Sequence, residues 1–343
     1  MIIWIDIINA SHALFFNSII KEFKSKNIVV TIRERAETVD LVKSFGIEGK
    51  VIGKYYRDSI KKSLTMIQRT IELNFKIGDF DISLSFENGM NVAVSKFRNK
   101  KSILFCDNDL KFIQKVALIQ KLETKIKSMA DFLVIPEACY DNFRAHKKRG
   151  TIGTYRGYKE DVYIADFIPD VQFMEKIPFD NFVAIRPEDS DSFYVKDKRS
   201  IVPELLQLFQ REGINVIYLP REKEDANYAK GSKAYIPKET LNGLDLVYYA
   251  DATLTGSGTM AREAACMDKT AVSFFPSKEL LSVDRQLIND RKIFHSRNPK
   301  EIVEYILSTS RKKNLAMFDR SKIVKKDVIK LISTYFEDNL EET

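Results

Sequence analysis

The sequence has few of the residues that build disulfide frameworks or metal centres. Only three cysteines and three histidines occur among its 343 residues. The cysteines Cys106, Cys139 and Cys266 lie far apart and form no Cys-X-X-Cys pair, which argues against a disulfide framework and against a cysteine-based zinc site. The histidines are equally scattered, so the sequence predicts no metal cluster.

Long apolar runs and targeting signals are also missing. The first twenty residues are rich in apolar side chains, but Asp6, Asn9, His12 and Asn17 interrupt them. No basic segment precedes this stretch and no stop-transfer segment follows it, so we expect neither a signal peptide nor a membrane span. The expected location is the cytoplasm.

The composition is that of a globular protein with a basic surplus. Hydrophobic residues make up 44% and charged residues 30%, and the length fits two domains of about 150 residues each. The formal net charge of +7 favours an anionic partner such as nucleic acid, acidic lipid or a phosphorylated small molecule. No RNP aromatic motif, KH-type loop or helix-turn-helix pattern is present, so we expect no nucleic acid partner.

Short apolar runs alternate with longer helical segments along most of the chain. The clearest helix is predicted by apolar residues at spacings of three and four. These residues are Ile60, Leu64, Ile67, Ile71 and Phe75. Such alternation predicts right-handed βαβ units and parallel sheets covered on both faces. The rhythm breaks over about residues 140–178, which are rich in Gly, Tyr, Lys and Pro and predict loops and connections.

The most informative segment is Thr255–Ala264, Thr-Gly-Ser-Gly-Thr-Met-Ala-Arg-Glu-Ala. Its glycines and small hydroxyl residues stand where a predicted strand ends and a helix begins. Unpaired N–H groups and the helix dipole make such a junction a phosphate site. An ordinary glycine-containing turn is the alternative for this pattern. Glu263 stands four residues after Thr259, one too many for a capping box.

Ser257–Ala264 resembles the C-terminal motif of UDP-N-acetylglucosamine 2-epimerases and of related glycosyltransferases with the B-type (GT-B) fold. The whole chain is still more similar to an uncharacterised, largely archaeal family of that superfamily. The segments that carry this similarity are Trp4–Ile7, His12–Phe16, Tyr155–Glu160, Ile185–Glu188 and Leu219–Arg221. The resemblance implies two Rossmann-like, doubly wound α/β domains facing an interdomain cleft.

The resemblance also implies roles for the two domains and for single residues. Residues 1–170 would form the acceptor-side domain and residues 171–318 the nucleotide-sugar domain, with residues 319–343 forming a helix that crosses back to the first domain. The segment around Ser257 would hold the nucleotide diphosphate, and Glu263 would bind the ribose hydroxyls. The residues predicted to bind the nucleotide are Arg186, Arg221, Gly256, Ser257, Gly258, Thr259 and Glu263.

Two motifs of nonhydrolysing epimerases are replaced in this chain. Residues 6–12 stand where those enzymes carry Gly-Thr-Arg-Pro-Glu, and residues 186–188 stand where they carry His-Arg. The segment ending in His12 instead resembles the first loop of inverting GT-B transferases. A histidine there can remove a proton from an acceptor hydroxyl, and Asp6 could orient it. A histidine that only caps or packs beneath the helix is the alternative.

Charged residues at other strand ends complete the set of candidates. Arg186 and Arg221 each follow a strand of the second domain, at the edge where ligands bind in parallel sheets, and guanidinium groups there suit a diphosphate. The pattern Asp107-Asn108-Asp109 matches the metal-binding motif of A-type transferases, but in the B-type interpretation Asp107 belongs to the acceptor side. The predicted catalytic residues are His12, Asp6, Asp107 and Glu87.

The preferred hypothesis is a UDP-sugar-dependent glycosyltransferase that uses no metal and no cofactor besides its donor substrate. The alternative is an epimerising or hydrolysing 2-epimerase-like enzyme, in which Asp107 and Glu87 would matter more. A non-catalytic binder of anionic polymers, suggested by the charge alone, is a minor alternative. The expected partners are a UDP-linked hexose or N-acetylhexosamine and an acceptor glycan or lipid-linked glycan. Peripheral membrane contact and the oligomeric state stay open.

Overall fold

The computed structural model describes residues 1–54, 59–113, 118–147, 149–188, 199–310, 315 and 317–340. The chain divides into two compact units. Unit 1 comprises Met1–Tyr163 together with the chain from Ser321 onward, and unit 2 comprises Ile164–Arg320. No helix among the described residues is long and apolar enough to cross a bilayer.

Unit 1 is built on a parallel sheet of seven strands in the order β3-β2-β1-β4-β5-β6-β7. Its strands are β1 Ile2–Ile7, β2 Asn27–Glu34, β3 Lys50–Lys54, β4 Ile82–Phe86, β5 Lys101–Phe105, β6 Phe132–Pro136 and β7 Thr151–Tyr155. Its first eight helices are α1 Ala10–Glu22, α2 Ala36–Ser44, α3 Ser59–Lys76, α4 Gly89–Phe97, α5 Leu110–Ile113, α6 Leu118–Lys127, α7 Tyr140–His146 and α8 Lys159–Ile164.

Unit 2 carries a five-stranded parallel sheet in the order β12-β11-β10-β8-β9. Its strands are β8 Val183–Arg186, β9 Val216–Tyr218, β10 Ala252–Thr255, β11 Thr270–Ser273 and β12 Ile293–His295. Its helices are α9 Val202–Arg211, α10 Gly243–Tyr249, α11 Gly258–Cys266, α12 Ser282–Asn289 and α13 Pro299–Ser308. Short 3₁₀ helices occur at Glu137–Cys139, Phe173–Lys176 and Glu224–Ala229.

The last helix, α14 Asp319–Leu340, packs on unit 1. The Tyr335 ring stacks on Phe132 of β6 with centroids 4.7 Å apart, and Phe336 meets Phe23. A Cβ on Gly157 would lie 2.5 Å from Val324, so the chain before α8 must pass close to this helix.

Aromatic packing beneath the first sheet fixes where α1 lies. Phe15 and Phe16 of α1 are fully buried, and their rings contact Phe105 at the end of β5. Phe15 also contacts Phe86 at the end of β4. Each such buried side chain contributes about 1.5–3 kcal/mol by leaving water. The N-terminus of α1 is thereby held at the carboxyl ends of β4 and β5.

The predicted alternation of strands and helices is confirmed, with one difference. Residues 140–178, expected to be loop and connection, contain α7, β7 and α8. β7 lies at the edge of its sheet and pairs with β6 alone. Because an edge strand has one neighbour instead of two, this short segment needs few apolar residues. Gly153 within it is required, because a Cβ there would lie 2.6 Å from the Phe132 ring.

The predicted helix over residues 60–75 is also confirmed, as α3. Its buried side is not the apolar stripe named above. Leu73 and Arg69 face the interior, whereas Ile67, Ile71 and Phe75 are exposed to solvent. The side chains of Ile60 and Leu64 lie outside the described part of the chain.

Candidate functional site

In unit 1, the carboxyl ends of β1, β4 and β5 lie side by side, because these strands are neighbours in a parallel sheet. The segments that follow them carry three predicted site residues, His12, Glu87 and Asp107. Asp6 belongs to β1 itself. Open parallel sheets bind their ligands at this edge.

His12 stands in the first turn of α1 and is 4% exposed. Its ring lies against the Phe86 ring, with centroids 4.9 Å apart. Nδ1 is buried and has no hydrogen-bond partner among the described residues. Burial, and then the ammonium of Lys159, lower the pKa of His12 well below its usual value of 6.5, against a smaller opposing effect of Asp107. The imidazole is therefore neutral at neutral pH.

Lys159 and Asp107 form a buried ion pair beside this histidine. Nζ of Lys159 lies 3.1 Å from Oδ2 of Asp107 and 3.5 Å from Oε1 of Glu160. The same ammonium lies 5.3 Å from the centroid of the Phe86 ring, so His12 and Lys159 both contact that ring. A neutral base, a cation and a carboxylate thus occupy one edge of the sheet, where they can exchange protons with a bound ligand.

Glu87 positions the loop after β5. One carboxylate oxygen, Oε1, accepts the N–H groups of Asp107 at 3.1 Å and of Asn108 at 3.0 Å, and Oε2 accepts from Nζ of Lys127 at 2.7 Å. Glu87 also has a left-handed φ of 48°, which non-glycine residues seldom adopt. The three hydrogen bonds offset that strain and hold Asp107 in place.

Asp6 binds Arg69, and the described contacts do not include the expected hydrogen bond to His12. Arg69 reaches both carboxylate oxygens, at 2.7 and 2.8 Å, and Thr31 and Asn88 each donate at 2.6 Å. Asp6 is 0% exposed and Arg69 is 2% exposed. Four hydrogen bonds to other groups occupy this carboxylate, so Asp6 anchors β1 to its neighbours instead of orienting the histidine.

The two carboxylates of the Asp107-Asn108-Asp109 segment have different partners. Asp107 pairs with Lys159, whereas Asp109 accepts a hydrogen bond of 2.7 Å from the Asn142 amide. No group of three or more His, Cys, Asp or Glu side chains placed to hold a metal ion occurs in the parts of the chain that the structure describes. Metal-free catalysis stays a prediction.

Lys159, Arg69 and Lys127 are site residues that the sequence did not predict. Lys159 falls in the segment Tyr155–Glu160, which the resemblance had singled out without giving this lysine a role. Arg69 is an arginine between apolar residues of α3, on the opposite side from the exposed stripe. An arginine on that side needs a buried acid, and this is a signal that could have found its pairing with Asp6.

In unit 2, the segment Gly256–Thr259 joins β10 to α11. Gly256 donates its N–H to the carbonyl of Arg186 at 3.1 Å. A Cβ at Gly256 would lie 2.5 Å from the Cα of Glu188, so the loop after β10 packs directly on the backbone of the loop after β8. Ser257, Gly258 and Thr259 are partly exposed. The segment is thus held by its first glycine and is accessible beyond it.

Among the residues that the structure describes, no side chain caps the N-terminus of α11. Ser257 is the N-cap residue, with extended backbone, but makes no capping hydrogen bond. Its Oγ lies 3.2 Å from Oγ1 of Thr255 instead. The first N–H groups of a helix need an acceptor from outside the helix, and the positive end of the dipole favours an anion. The geometry therefore suits a phosphate group.

Arg262 adds a cation at this helix end. A Cβ on Gly258 would lie 2.4 Å from Nη1 of Arg262. The same Nη1 donates a hydrogen bond to Oδ1 of Asp284 at 2.8 Å. The glycine at position 258 thus makes room for a guanidinium that the sequence analysis had left without a role. Glu263 lies in the second turn of α11 and is 8% exposed.

Arg186, at the end of β8, and Arg221, on the loop after β9, lie next to this segment. Arg221 donates from Nε to the carbonyl of Pro187 at 3.0 Å, which ties the loop after β9 to the loop after β8. Arg186 ends β8 and is partly exposed, and its buried Nε has no hydrogen-bond partner among the described residues. Glu188 accepts hydrogen bonds from Ser200 and Arg297. The structure thus gathers the predicted nucleotide-binding residues at one edge of the second sheet.

Some known proteins resemble this chain in sequence, and others resemble it in structure. An uncharacterised protein of Methanocaldococcus jannaschii is 26% identical over 321 residues, which span 89% of this chain and 90% of the relative. The UDP-N-acetylglucosamine 2-epimerase of Rickettsia bellii matches with a TM-score of 0.74 at 11% identity, over 100% of both chains. The calicheamicin glycosyltransferase CalG4 matches with a TM-score of 0.56 at 12% identity, over 99% of each chain.

These likenesses confirm the predicted fold, an α/β fold with two Rossmann-like domains of GT-B type. At such low identities they show nothing about the reaction. The M. jannaschii relative is archaeal, and the wider prediction of a largely archaeal family stays a prediction. A family profile, described as "Protein of unknown function (DUF354)", matches residues 1–333. The chain therefore belongs to the DUF354 family.

Proposed function

We propose that this protein transfers a sugar from a UDP-linked donor to an acceptor hydroxyl, without a metal ion. The observation that carries the proposal is His12, a buried and neutral imidazole at the carboxyl edge of the sheet of unit 1, whose Nδ1 has no hydrogen-bond partner within the described parts of the chain. In the proposed reaction the acceptor oxygen bonds to the anomeric carbon, and the bond from that carbon to the UDP oxygen breaks. His12 takes the hydroxyl proton.

The surroundings of His12 suit a base that acts during the transfer. A lowered pKa keeps the imidazole unprotonated, so it is ready to accept a proton at neutral pH. The nearby carboxylate of Asp107 favours the charged form and would stabilise the imidazolium as it forms. Lys159 has the opposite effect, and this favours prompt loss of the proton afterwards.

Unit 2 would bind the donor and stabilise the leaving UDP. The uncapped N-terminus of α11 and the guanidinium of Arg262 supply positive charge for the diphosphate. Arg186 would add hydrogen bonds from the neighbouring strand end, and Glu263 is proposed to bind the ribose. The name of the R. bellii epimerase, which refers to UDP-N-acetylglucosamine, supports a nucleotide-sugar donor.

The Asp107–Lys159 pair favours a second candidate, a 2-epimerase-like enzyme acting on a UDP-linked N-acetylhexosamine. Such a reaction removes a proton from a sugar carbon and later returns one, and the carboxylate of Asp107, 3.1 Å from the Lys159 ammonium, supplies a base paired with an acid. Glu87 is less suited to this role than expected, because two backbone N–H groups and Lys127 already bind it.

Incubation with UDP-N-acetylglucosamine alone separates the two candidates. An epimerase forms UDP-N-acetylmannosamine, or N-acetylmannosamine and UDP, without any acceptor. A transferase releases UDP only when an acceptor is added, so a panel of UDP-sugars is tested with and without glycan acceptors. Epimerised sugar in the acceptor-free reaction would refute the transferase. Binding of nucleic acid or heparin that falls steeply with salt, with no preference for UDP, would refute both.

The His12→Ala variant tests the catalytic step itself. We expect turnover to fall by roughly 10²–10⁴-fold, while calorimetry shows UDP affinity close to that of the parent. His146→Ala is the matched control, because His146 lies exposed on α7, and it should retain full activity. Full activity of His12→Ala would give this histidine a purely structural role.

The Glu263→Ala variant tests the donor site. Ribose contacts would be lost and phosphate contacts kept, so we expect UDP affinity to fall while affinity for inorganic diphosphate stays the same. Removal of metal ions with EDTA should leave UDP affinity unchanged. An equal loss of affinity for UDP and for inorganic diphosphate would show that Glu263 does not bind the ribose.

A further inference from the structure

Helix α3 carries apolar side chains on two opposite faces. Its inner face includes Leu73, which is 0% exposed, whereas Ile67, Ile71 and Phe75 on the outer face are 61%, 53% and 80% exposed. Residues four apart lie on one side of a helix, so these three form a continuous stripe. A surface helix normally presents polar side chains on the face away from the core. The outer stripe of α3 is therefore an exposed apolar face on a surface helix.

Phe97, the last residue of α4, is a further exposed apolar residue near this stripe. The adjacent Arg98 donates to the carbonyl oxygens of Ile77 and Gly78, just beyond the end of α3. Phe97 thus lies near the C-terminal end of α3, where Phe75 is found, and it too is 80% exposed. We call Ile67, Ile71, Phe75 and Phe97 the α3 patch.

The α3 patch is large for a surface feature. Its two phenylalanines alone expose roughly 240–400 Å² of aromatic surface. With the two isoleucines, the patch matches the largest apolar patch on a typical monomer, about 300–600 Å², which is often an interaction site. A stable interface buries about 800 Å² on each partner, so the patch supplies the apolar centre and the surrounding polar residues supply the rest.

We propose that the α3 patch is the interface of a symmetric homodimer, in which two α3 helices pack antiparallel about a two-fold axis near Ile71. In this arrangement Ile71 meets Ile71 of the second copy, and Ile67 meets Phe75 of the second copy. Every apolar residue of the stripe then has an apolar partner. A two-fold axis matches a surface to itself, so one apolar stripe serves both copies.

The charges beside the patch favour a second copy over a lipid surface. Glu72 pairs with Lys76 at 3.0 Å, and Asp79 pairs with Lys100 at 3.1 Å. Segments that bind anionic membranes surround their apolar side chains mainly with Lys and Arg. Mixed charges in ion pairs, as found here, are typical of the polar rim of a protein interface.

The oligomeric state of single variants tests the proposal. The parent protein should have twice the mass of the 39.6 kDa chain by light scattering, and Ile71→Glu should have the mass of one chain, because two carboxylates would face each other across the axis. Ile323→Glu is the matched control, since Ile323 on α14 is 63% exposed; it should remain dimeric. A mixture of Ile71→Glu and Ile71→Lys should form the dimer again.

Cross-linking provides a second test with a conservative variant. All three native cysteines are buried, so Ile71→Cys introduces an accessible thiol next to the proposed axis. Mild oxidation should link two copies of this variant through a disulfide, whereas Ile323→Cys should stay unlinked. A parent protein that is monomeric throughout the micromolar range would overturn the proposal. So would a dimer that Ile71→Glu leaves intact, or a monomer that binds phosphatidylglycerol vesicles through Ile71.

Discussion

The carboxyl edges of the two sheets are built from different groups. In unit 1 the edge consists of buried side chains, with His12, Lys159 and Asp107 less than a tenth exposed. In unit 2 it consists largely of main chain, namely two glycines and the N-terminus of α11, with the side chains of Arg186 and Arg221 beside it. One edge holds groups that can exchange protons, and the other holds fixed dipoles that can bind an anion.

This difference predicts how each unit fails when it is altered. Side-chain chemistry is lost when a side chain is removed, because a buried partner is left without its counter-charge. A site built from main chain is disrupted when a side chain is added, because the new Cβ prevents neighbouring backbone segments from packing closely. The four predictions below test this contrast.

The largest effect is expected for Asp6→Ala in unit 1. The variant leaves Arg69, 2% exposed, with an uncompensated charge, and removal of one partner of a buried pair costs about 3–5 kcal/mol. Urea unfolding should show this loss in the free energy of unfolding. Lys176→Ala is the control: it breaks the exposed Asp170–Lys176 pair and should leave the unfolding midpoint unchanged. Equal effects of the two variants would contradict the role of Asp6 as an anchor.

The next effect is expected for Gly256→Ala in unit 2. The new Cβ would lie 2.5 Å from the Cα of Glu188, and backbone must shift to relieve the overlap, at a cost of about 1–3 kcal/mol. UDP affinity should fall as well. Gly243→Ala is the matched control, since a Cβ there meets nothing within 4 Å, and it should be neutral in both measurements. Unchanged UDP affinity in Gly256→Ala would show that this loop does not take part in UDP binding.

Lys159→Met sharpens the comparison inside unit 1. The ammonium of Lys159 lowers the pKa of His12, while Asp107 raises it. Removal of the ammonium should therefore raise the pKa of His12, measured by NMR titration of its ring protons. Lys125→Met, at an exposed position of α6, should not change this pKa. A pKa of His12 that stays the same in Lys159→Met would show that burial alone sets it.

The smallest effect is a change in how stability depends on pH. The pKa of His12 is lower in the folded protein than its unfolded value of about 6.5. The unfolded chain therefore binds a proton first as the pH falls below 6.5, and stability decreases, by at most about 1.4 kcal/mol per pH unit for one proton. His12→Gln should make the slope of unfolding free energy against pH shallower. His295→Gln should do so too, because burial also lowers the pKa of His295. Unchanged slopes would contradict both shifts.

The sequence predicted the fold from its alternation, because buried parallel strands leave a clear apolar signature. It missed β7, which lies at the edge of its sheet. A segment such as Thr151–Tyr155 needs little apolar sequence when only one neighbour pairs with it.

For the site, the rule that ligands bind at strand ends predicted Arg186 and Arg221, and the resemblance to GT-B transferases predicted His12. Neither could reveal the partners of the predicted residues. Lys159 is far from His12 along the chain, and nothing local to either residue indicates that the two contact one ring. Periodicity likewise predicted α3 but not which face is buried, because two apolar faces compete on one helix and the sequence pattern does not rank them.

The return of α14 to unit 1 has a consequence for synthesis on the ribosome. Val324, Val328, Ile332 and Phe336 of this helix are all buried, and the sheet of unit 1 is translated more than a hundred and fifty residues before them. The apolar surface beneath α14 therefore stays uncovered until that helix has been synthesised. Unit 2 can close as soon as it leaves the exit tunnel, since it is one uninterrupted segment. The part of the chain that is made first thus finishes folding last, and a ribosome stalled anywhere before Asp319 leaves an incomplete first unit for chaperones to shield.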